Sequence, residues 1–301
     1  MRTPIAGGPG RAGRTPSLAG RRVLITGAAR GIGAALADRL HARGARVALA
    51  GLEPQLLAEV AARCGNAPWR ACDVADREQV EAAVEHAAQA LGGLDVVVAC
   101  AGVAAQLPLV GGDPAVMEQT VRVNLLGTYY TLRAAGPHIS HPRGYALAVA
   151  SLAAAVHPPL MGAYSASKAA VEALGNTLRA ELRPYGARAG VAYFAELDTD
   201  MTHRGFGTRA AAALMGSGPA KALLSRVAPL QVGIDALERG IARRSARIVA
   251  PWWVAAALPA RTFLQPVIDR AAQRHLRRAL EIARDEHAPL TTPQPDSGGA
   301  S

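Results

Sequence analysis

RVLITGAARGIG, residues 22–33, is an apolar strand-like run that turns abruptly into glycines at 27, 31 and 33. A helical pattern from Ala34 to Arg43 follows, so the stretch predicts strand, glycine turn and helix. Glycines let the backbone approach a bound group, and a helix that opens there points free N–H groups at it. The result is an anion site of the kind that takes a pyrophosphate. An ordinary tight turn between strand and helix would look the same in isolation, so the flanking chain has to decide.

Outward from this stretch the pattern repeats. Arg46–Ala50, Trp69–Cys72, Asp95–Ala99, Tyr145–Ala150, Ala187–Phe194 and Arg247–Ala250 read as further strands. Helical patterns separate them, at about 76–91, 116–135, 162–183 and 231–244. Continuous apolar strands alternating with helices suit a parallel sheet buried on both faces. The prediction is the α/β class: a single doubly wound domain with a parallel, seven-stranded sheet. Ligands of such sheets bind outside the carboxyl ends of the strands, where Gly27, Gly102 and Ser151 all fall. The stretch 199–226 is rich in Ala and Gly and weakly patterned, which predicts a mobile flap over the substrate.

At 301 residues with 50% hydrophobic content the chain can bury one substantial core. The net charge of +10 sits in the tails: the first 22 residues hold five arginines and no acid, and 239–284 carry an excess of eight. With only 4% aromatic residues as stacking platforms, the charge does not indicate nucleic acid. Cys64, Cys72 and Cys100 form no C-x-x-C pair and are odd in number, which indicates neither a disulfide framework nor a metal site. A reducing, cytoplasmic setting is expected. The longest apolar run, Ile248–Ala260, is short for a membrane span and contains Pro251 and Pro259. Residues 1–19 read as a disordered basic leader, 20–250 as the α/β domain, 251–286 as a helical extension and 287–301 as a disordered tail. The extension ends in a basic amphipathic helix with Leu264, Ile268, Ala272, Leu276 and Ala279 on one stripe. That stripe predicts docking onto the domain or a subunit interface. With Trp252 and Trp253 nearby, peripheral membrane contact through the helix is the lesser reading.

The chemistry concentrates in SLAAAVHPPLMGAYSASK, residues 151–168. Tyr164 and Lys168 are four apart in a helical run, so they share one face. Bringing a tyrosine from about 10 to near 7 takes roughly 4 kcal/mol. One unit charge at ~4 Å and an effective dielectric of ~20 supplies about that much. Lys168 and Lys221 are the only lysines among 33 basic residues, so the ammonium at 168 departs from the habit of the chain. By itself a Y-x-x-x-K pair is as readily a chance surface pair. Asn124 stands mid-helix among Val123, Leu125 and Leu126, where propensity disfavours it and a buried polar role is expected.

Taken together, TGAARGIG at 26–33, Asp73, Ala101 with Gly102, Asn124, Ser151 and YSASK at 164–168 resemble the short-chain dehydrogenase/reductase (SDR) family in order and spacing, over about residues 20–250. The resemblance implies a Rossmann domain and an NAD(P)-dependent oxidoreductase that interconverts a hydroxyl and a carbonyl group. It implies Tyr164 as general acid/base, Lys168 as the group that lowers its pKa and binds the nicotinamide ribose, and Ser151 as holder of the substrate oxygen. Asn124 would support a water linking Lys168 to solvent. Gly27, Arg30, Gly31, Ile32 and Gly33 would line the pyrophosphate and Asp73 with Val74 the adenine. Ala101 and Gly102 would wall the cofactor, and Leu197 with Thr199 would meet the nicotinamide amide. No metal is implied; a homodimer or homotetramer is.

The chain departs from the family pattern in three places. Cys100 replaces the asparagine of N-A-G, Phe194 and Ala195 replace a P-G, and Gly51 stands where an acid for the ribose is usual. Glu53 is close to that spacing, and Arg30 could meet a phosphate, so NAD and NADP both remain open. Leu152, Ala153, Ala154, Val156, His157, Pro158, Leu160 and Met161 form the expected pocket wall, which predicts a hydrophobic small-molecule alcohol or ketone. The rival readings are a non-catalytic dinucleotide-binding regulator of the same fold and a sugar-nucleotide epimerase or dehydratase. The intact set at 124, 151, 164 and 168 speaks against the first, and the short chain after Lys168 against the second.

Overall fold

Seven strands lie in one parallel sheet in the computed structural model of the protein, which describes residues 16–215, 227–286 and 290–294. They are β1 (Arg22–Thr26), β2 (Arg46–Gly51), β3 (Trp69–Ala71), β4 (Val96–Ala99), β5 (Tyr145–Val149), β6 (Arg188–Phe194) and β7 (Arg247–Ala250), in the order β3-β2-β1-β4-β5-β6-β7. The order reverses between β1 and β4, and a crevice for a ligand opens at that point. The doubly wound expectation is met, strand by strand.

Helices cover both faces, as the apolar strands require. On one face α1 (Gly31–Ala42), α2 (Pro54–Arg63) and α9 (Leu230–Arg243) bury Leu36, Leu40, Leu57, Ile234 and Leu237 against β1, β4 and β5. On the other, α3 (Arg77–Leu91), α5 (Gly127–Ile139) and α6 (Gly162–Glu181) bury Val80, Val84, Leu132 and Val171. Val23, Leu24 and Ile25 of β1 are almost wholly buried, each worth about 1.5–3 kcal/mol. At the amino edge of the sheet Asp95 is buried and takes donors from the Arg22 backbone (3.1 Å), Nε (3.1 Å) and a terminal guanidinium nitrogen (3.0 Å). Burial alone would raise the Asp95 carboxyl, but the Arg22 donors outweigh it and hold the group below the usual range.

Two regions differ from the sequence expectation. The predicted 116–135 helix starts earlier, as α4 (Pro114–Val121), and is interrupted by a π turn over Arg122–Leu126 before α5. The weakly patterned 199–226 stretch contains α7 (Asp200–Gly205) and α8 (Arg209–Met215); residues 216–226 lie outside the described ones. After β7 come a one-turn helix, α10 (Val254–Ala257), and α11 (Arg261–Glu286). The inward stripe of α11 buries Ala272, Ala279 and Ala283, and its last residue, Glu286, accepts hydrogen bonds from the N–H groups of Arg209 (2.7 Å) and Ala210 (3.0 Å) at the start of α8. Within the stretch read as a leader, residues 1–15 lie outside the described ones and Leu18 is buried. Within the stretch read as a tail, residues 290–294 are described and Thr291 is buried. No helix among the described residues is long and apolar enough to cross a membrane.

Candidate active site

A cleft opens at the switch point between β1 and β4. Its floor is the glycine turn. Gly27 has φ +68° and meets the neighbouring loop so closely that a Cβ would lie 2.6 Å from the Ala101 Cα. A Cβ on Gly33 would lie 2.1 Å from the Gly27 carbonyl oxygen. These glycines therefore bring α1, β1 and the loop after β4 into a contact no side chain allows. Among the described residues no side chain caps α1, which leaves its first N–H groups facing the cleft. Arg30, Gly31, Ile32 and Gly33 line this end, as do Ala101 and Gly102. The donor set fits a pyrophosphate: an uncapped helix start, a glycine cradle, and an Arg30 whose Nε is buried with no hydrogen-bond partner among the described residues.

Further along, Asp73 and Val74 line the cleft; the Asp73 carboxylate accepts the Ala75 N–H at 2.9 Å, which fixes the turn after β3. Glu53 forms an ion pair with Arg30, and Asp200 approaches the same guanidinium at 3.7 Å. Arg30 thus reaches the cleft with its terminal nitrogens paired to carboxylates and only its Nε without a partner among the described residues. Thr199 faces Gly31 across the cleft and caps α7, accepting the Thr202 N–H at 3.4 Å. Leu197 does not reach the cleft. Its side chain is in the core beneath Gly233, where a Cβ would come within 2.4 Å of it, and its carbonyl accepts the Thr202 hydroxyl at 2.5 Å.

Behind Gly102 lies the polar set. A Cβ on Gly102 would be 3.3 Å from both the Asn124 Oδ1 and the Lys168 Nζ, so the glycine sets cleft and set in contact. Asn124 sits in the π turn, fully buried. Its Oδ1 accepts the Val103 N–H at 2.8 Å, and its Nδ2 donates to the Val103 carbonyl (2.9 Å) and the Ser167 hydroxyl (2.9 Å). A π turn re-aims one residue out of helical register, which lets the asparagine grip that loop. Ser151 leaves the end of β5 and donates to the Phe194 carbonyl at 3.3 Å. Tyr164 and Lys168 come from the first turns of α6, both buried. The Lys168 Nζ donates to the Val149 carbonyl at 3.0 Å and lies 5.6 Å from the Tyr164 ring centroid.

Burial dominates the electrostatics of the set. Burial pushes the Tyr164 phenol up to about 12, opposed by its hydrogen bond with Ser151. Burial also pushes the Lys168 ammonium down to about 8. In the ligand-free site burial raises the phenol by more than the hydrogen bond with Ser151 lowers it. The Cys100 thiol, in place of the asparagine, is raised to about 11 by burial and leaves the polar set intact.

Around Tyr164 the surface is apolar: Ala104, Met161, Ala153, Met201 and Phe206, the last ring edge-on to the tyrosine at 6.0 Å. His157, in the expected pocket wall, is exposed, and its backbone exchanges hydrogen bonds with Gln265 of α11 instead. Sequence reasoning placed Asp200 and Met201 only in a flap over the substrate, and did not find Thr291, Thr292 or Gln294 in the cleft. The last three belong to a Pro- and Thr-containing stretch with no periodicity, and carry no signal of their position.

Residues 21–209 match the family model described as short chain dehydrogenase. D-threitol dehydrogenase of Mycolicibacterium smegmatis is 34% identical over 192 residues, covering 62% of this chain and 74% of that protein. Glycine betaine reductase ATRR of Emericella nidulans is 34% identical over 204 residues, or 66% of this chain; the match spans only 15% of that much longer protein. In shape the chain is similar to a short chain dehydrogenase/reductase from Burkholderia phymatum solved in complex with NAD, with a TM-score of 0.70 at 22% identity over 83% of this chain and 96% of that one.

Proposed function

The chain belongs to the short chain dehydrogenase family and is an NAD(P)-dependent oxidoreductase acting on CH–OH groups; on that premise we propose that Tyr164 is its general acid/base and that the substrate is a hydrophobic secondary alcohol or its ketone. The convergence of Ser151, Tyr164 and Lys168 on the far side of Gly102 from the glycine cradle carries this reading. When bound, the nicotinamide supplies or accepts the hydride at the substrate carbon.

The residues of the chain do the rest. Tyr164 takes the hydroxyl proton during oxidation and returns it during reduction. Ser151, at the end of β5 beside Tyr164, holds the substrate oxygen at the same point. Lys168 stabilises the phenolate and, anchored on the Val149 carbonyl, is within reach of a ribose at Gly102. Asn124 fixes the Val103 backbone and, through Ser167, the α6 turn that carries the pair. Gly27, Gly31, Ile32 and Gly33 cradle the pyrophosphate, Asp73 and Val74 take the adenine end, and Thr199 closes over the nicotinamide end. Met161, Met201 and Phe206 exclude water and favour an apolar substrate. Three free cysteines suit a cytoplasmic protein, and a homodimer or homotetramer is the assembly we expect.

The test is a screen of alcohols and ketones with NAD and NADP, read at the absorbance band of the reduced nicotinamide. Turnover that favours apolar over charged substrates is expected; preference for charged ones would exclude the apolar pocket.

A further inference from the structure

The loop after β4 is gripped from two sides. Asn124 hydrogen-bonds both the N–H and the carbonyl of Val103. Thr291 does the same for the next residue: its Oγ1 accepts the Ala104 N–H at 3.0 Å and its own N–H donates to the Ala104 carbonyl at 3.0 Å. Ala104 in turn packs on Met161 and Tyr164. Thr291 is 4% exposed, and it fits because residue 205 is glycine: a Cβ there would come within 2.3 Å of its methyl group. Beyond it, Gln294 accepts a hydrogen bond from Gln119 at 3.3 Å, and Thr291, Thr292 and Gln294 face the cleft opposite the glycine turn. The segment is delivered by α11, whose Glu286 carboxylate holds the first turn of α8. Two attachments, Thr291 to Ala104 and Gln294 to Gln119, therefore fasten one short polar segment to the cleft wall.

We propose that residues 290–294 are a part of the dinucleotide site: Thr291 is a positioning residue that sets Ala104 against Tyr164, and Thr292 and Gln294, the latter held by Gln119 and by hydrogen bonds from its own amide to the Thr292 and Pro293 carbonyls, line the bound dinucleotide. This rests on the cleft being the cofactor site. Such a segment adds contacts to the cleft beside those of Thr199, Asp200 and Met201.

The experiment measures NADH and NADPH affinity of the full chain by the change in nicotinamide fluorescence, without substrate. Thr291→Val keeps the shape and removes the acceptor for the Ala104 N–H; it should weaken binding about tenfold, whereas Thr291→Ser, which keeps the oxygen, should bind almost as the wild type does. Gln294→Ala, at a half-buried position, should weaken binding about threefold and decides the matter if Thr291→Val does not fold. Unchanged affinity in Thr291→Val and Gln294→Ala overturns the proposal, and so does tighter binding, because the segment would then compete with the ligand. A wild-type chain that binds neither nucleotide overturns the cofactor cleft itself, so the two failures are told apart.

Discussion

Lys168→Met removes the one ammonium in the polar set and leaves a side chain of similar length. With Nζ 5.6 Å from the Tyr164 ring centroid and an effective dielectric of ~20, the lost attraction for a phenolate is about 3 kcal/mol, or roughly two pKa units. The pair is coupled: the first proton leaves it near the lysine value of about 8, and the phenol on its own holds its proton to about 12. Oxidation of an alcohol needs the pair short of one proton, as phenolate beside ammonium. In the wild type, kcat/KM for oxidation should therefore rise with pH and level off above about 8, while kcat/KM for ketone reduction falls over the same range because the fully protonated pair, which returns the proton and keeps the ammonium, is lost. In Lys168→Met the rise should not level near 8 but continue toward the value of the isolated phenol, about 12, and oxidation at the pH where the wild type levels off should be about 100-fold slower. Steady-state kinetics across the pH range in saturating cofactor measure both quantities. A variant profile that levels where the wild-type profile does, at a comparable rate, refutes the reasoning.

Three further outcomes follow from the cleft and the core. Gly33→Ala places a methyl 2.1 Å from the Gly27 carbonyl, so the turn must open; NADH binding measured by titration should fall at least about 100-fold in a chain that still melts cooperatively. Glu53→Gln leaves Arg30 with Asp200 as its remaining carboxylate and removes a negative charge from the cleft, so the affinity ratio of NADPH to NADH should rise about tenfold, and an unchanged ratio contradicts a role for the Arg30–Glu53 pair in cofactor choice. Asp95→Asn leaves Arg22 without its carboxylate at the sheet edge and should destabilise the fold by about 3 kcal/mol in urea unfolding. Because the Asp95 pKa is depressed by folding, its stabilising contribution is present above the ordinary aspartate range and lost as pH falls through the folded value.

The sheet was legible because each strand is a short, continuous apolar run, and such runs have one stable use in a chain that alternates them with helices. The glycine turn was legible for the same kind of reason: Gly27 and Gly33 sit where no Cβ fits, and only strand, turn and helix in that order demand it. Other features were hidden by what a local reading leaves out. The π turn that aims Asn124 is a one-residue change of backbone register, and no side-chain propensity encodes it. The Tyr164–Lys168 spacing was correct, but spacing counts charge and not burial, and burial sets both pKa values. Leu197 turned into the core because Gly233 leaves room there, a contact thirty-six residues away. The α7 and α8 helices lack a strong apolar stripe since α8 packs on α11 and not on the sheet, and Thr291 is buried by Gly205 and Ala104, neither of which its own neighbours announce.

Tyr164→Phe tests the central claim most directly, since it removes one oxygen from a buried ring that keeps its contact with Phe206. With the best alcohol from the screen, NAD(P)-linked turnover should fall by about 10³-fold or more while the affinity for the reduced cofactor stays within about twofold of the wild type. Turnover retained near the wild-type rate would contradict Tyr164 as the acid/base.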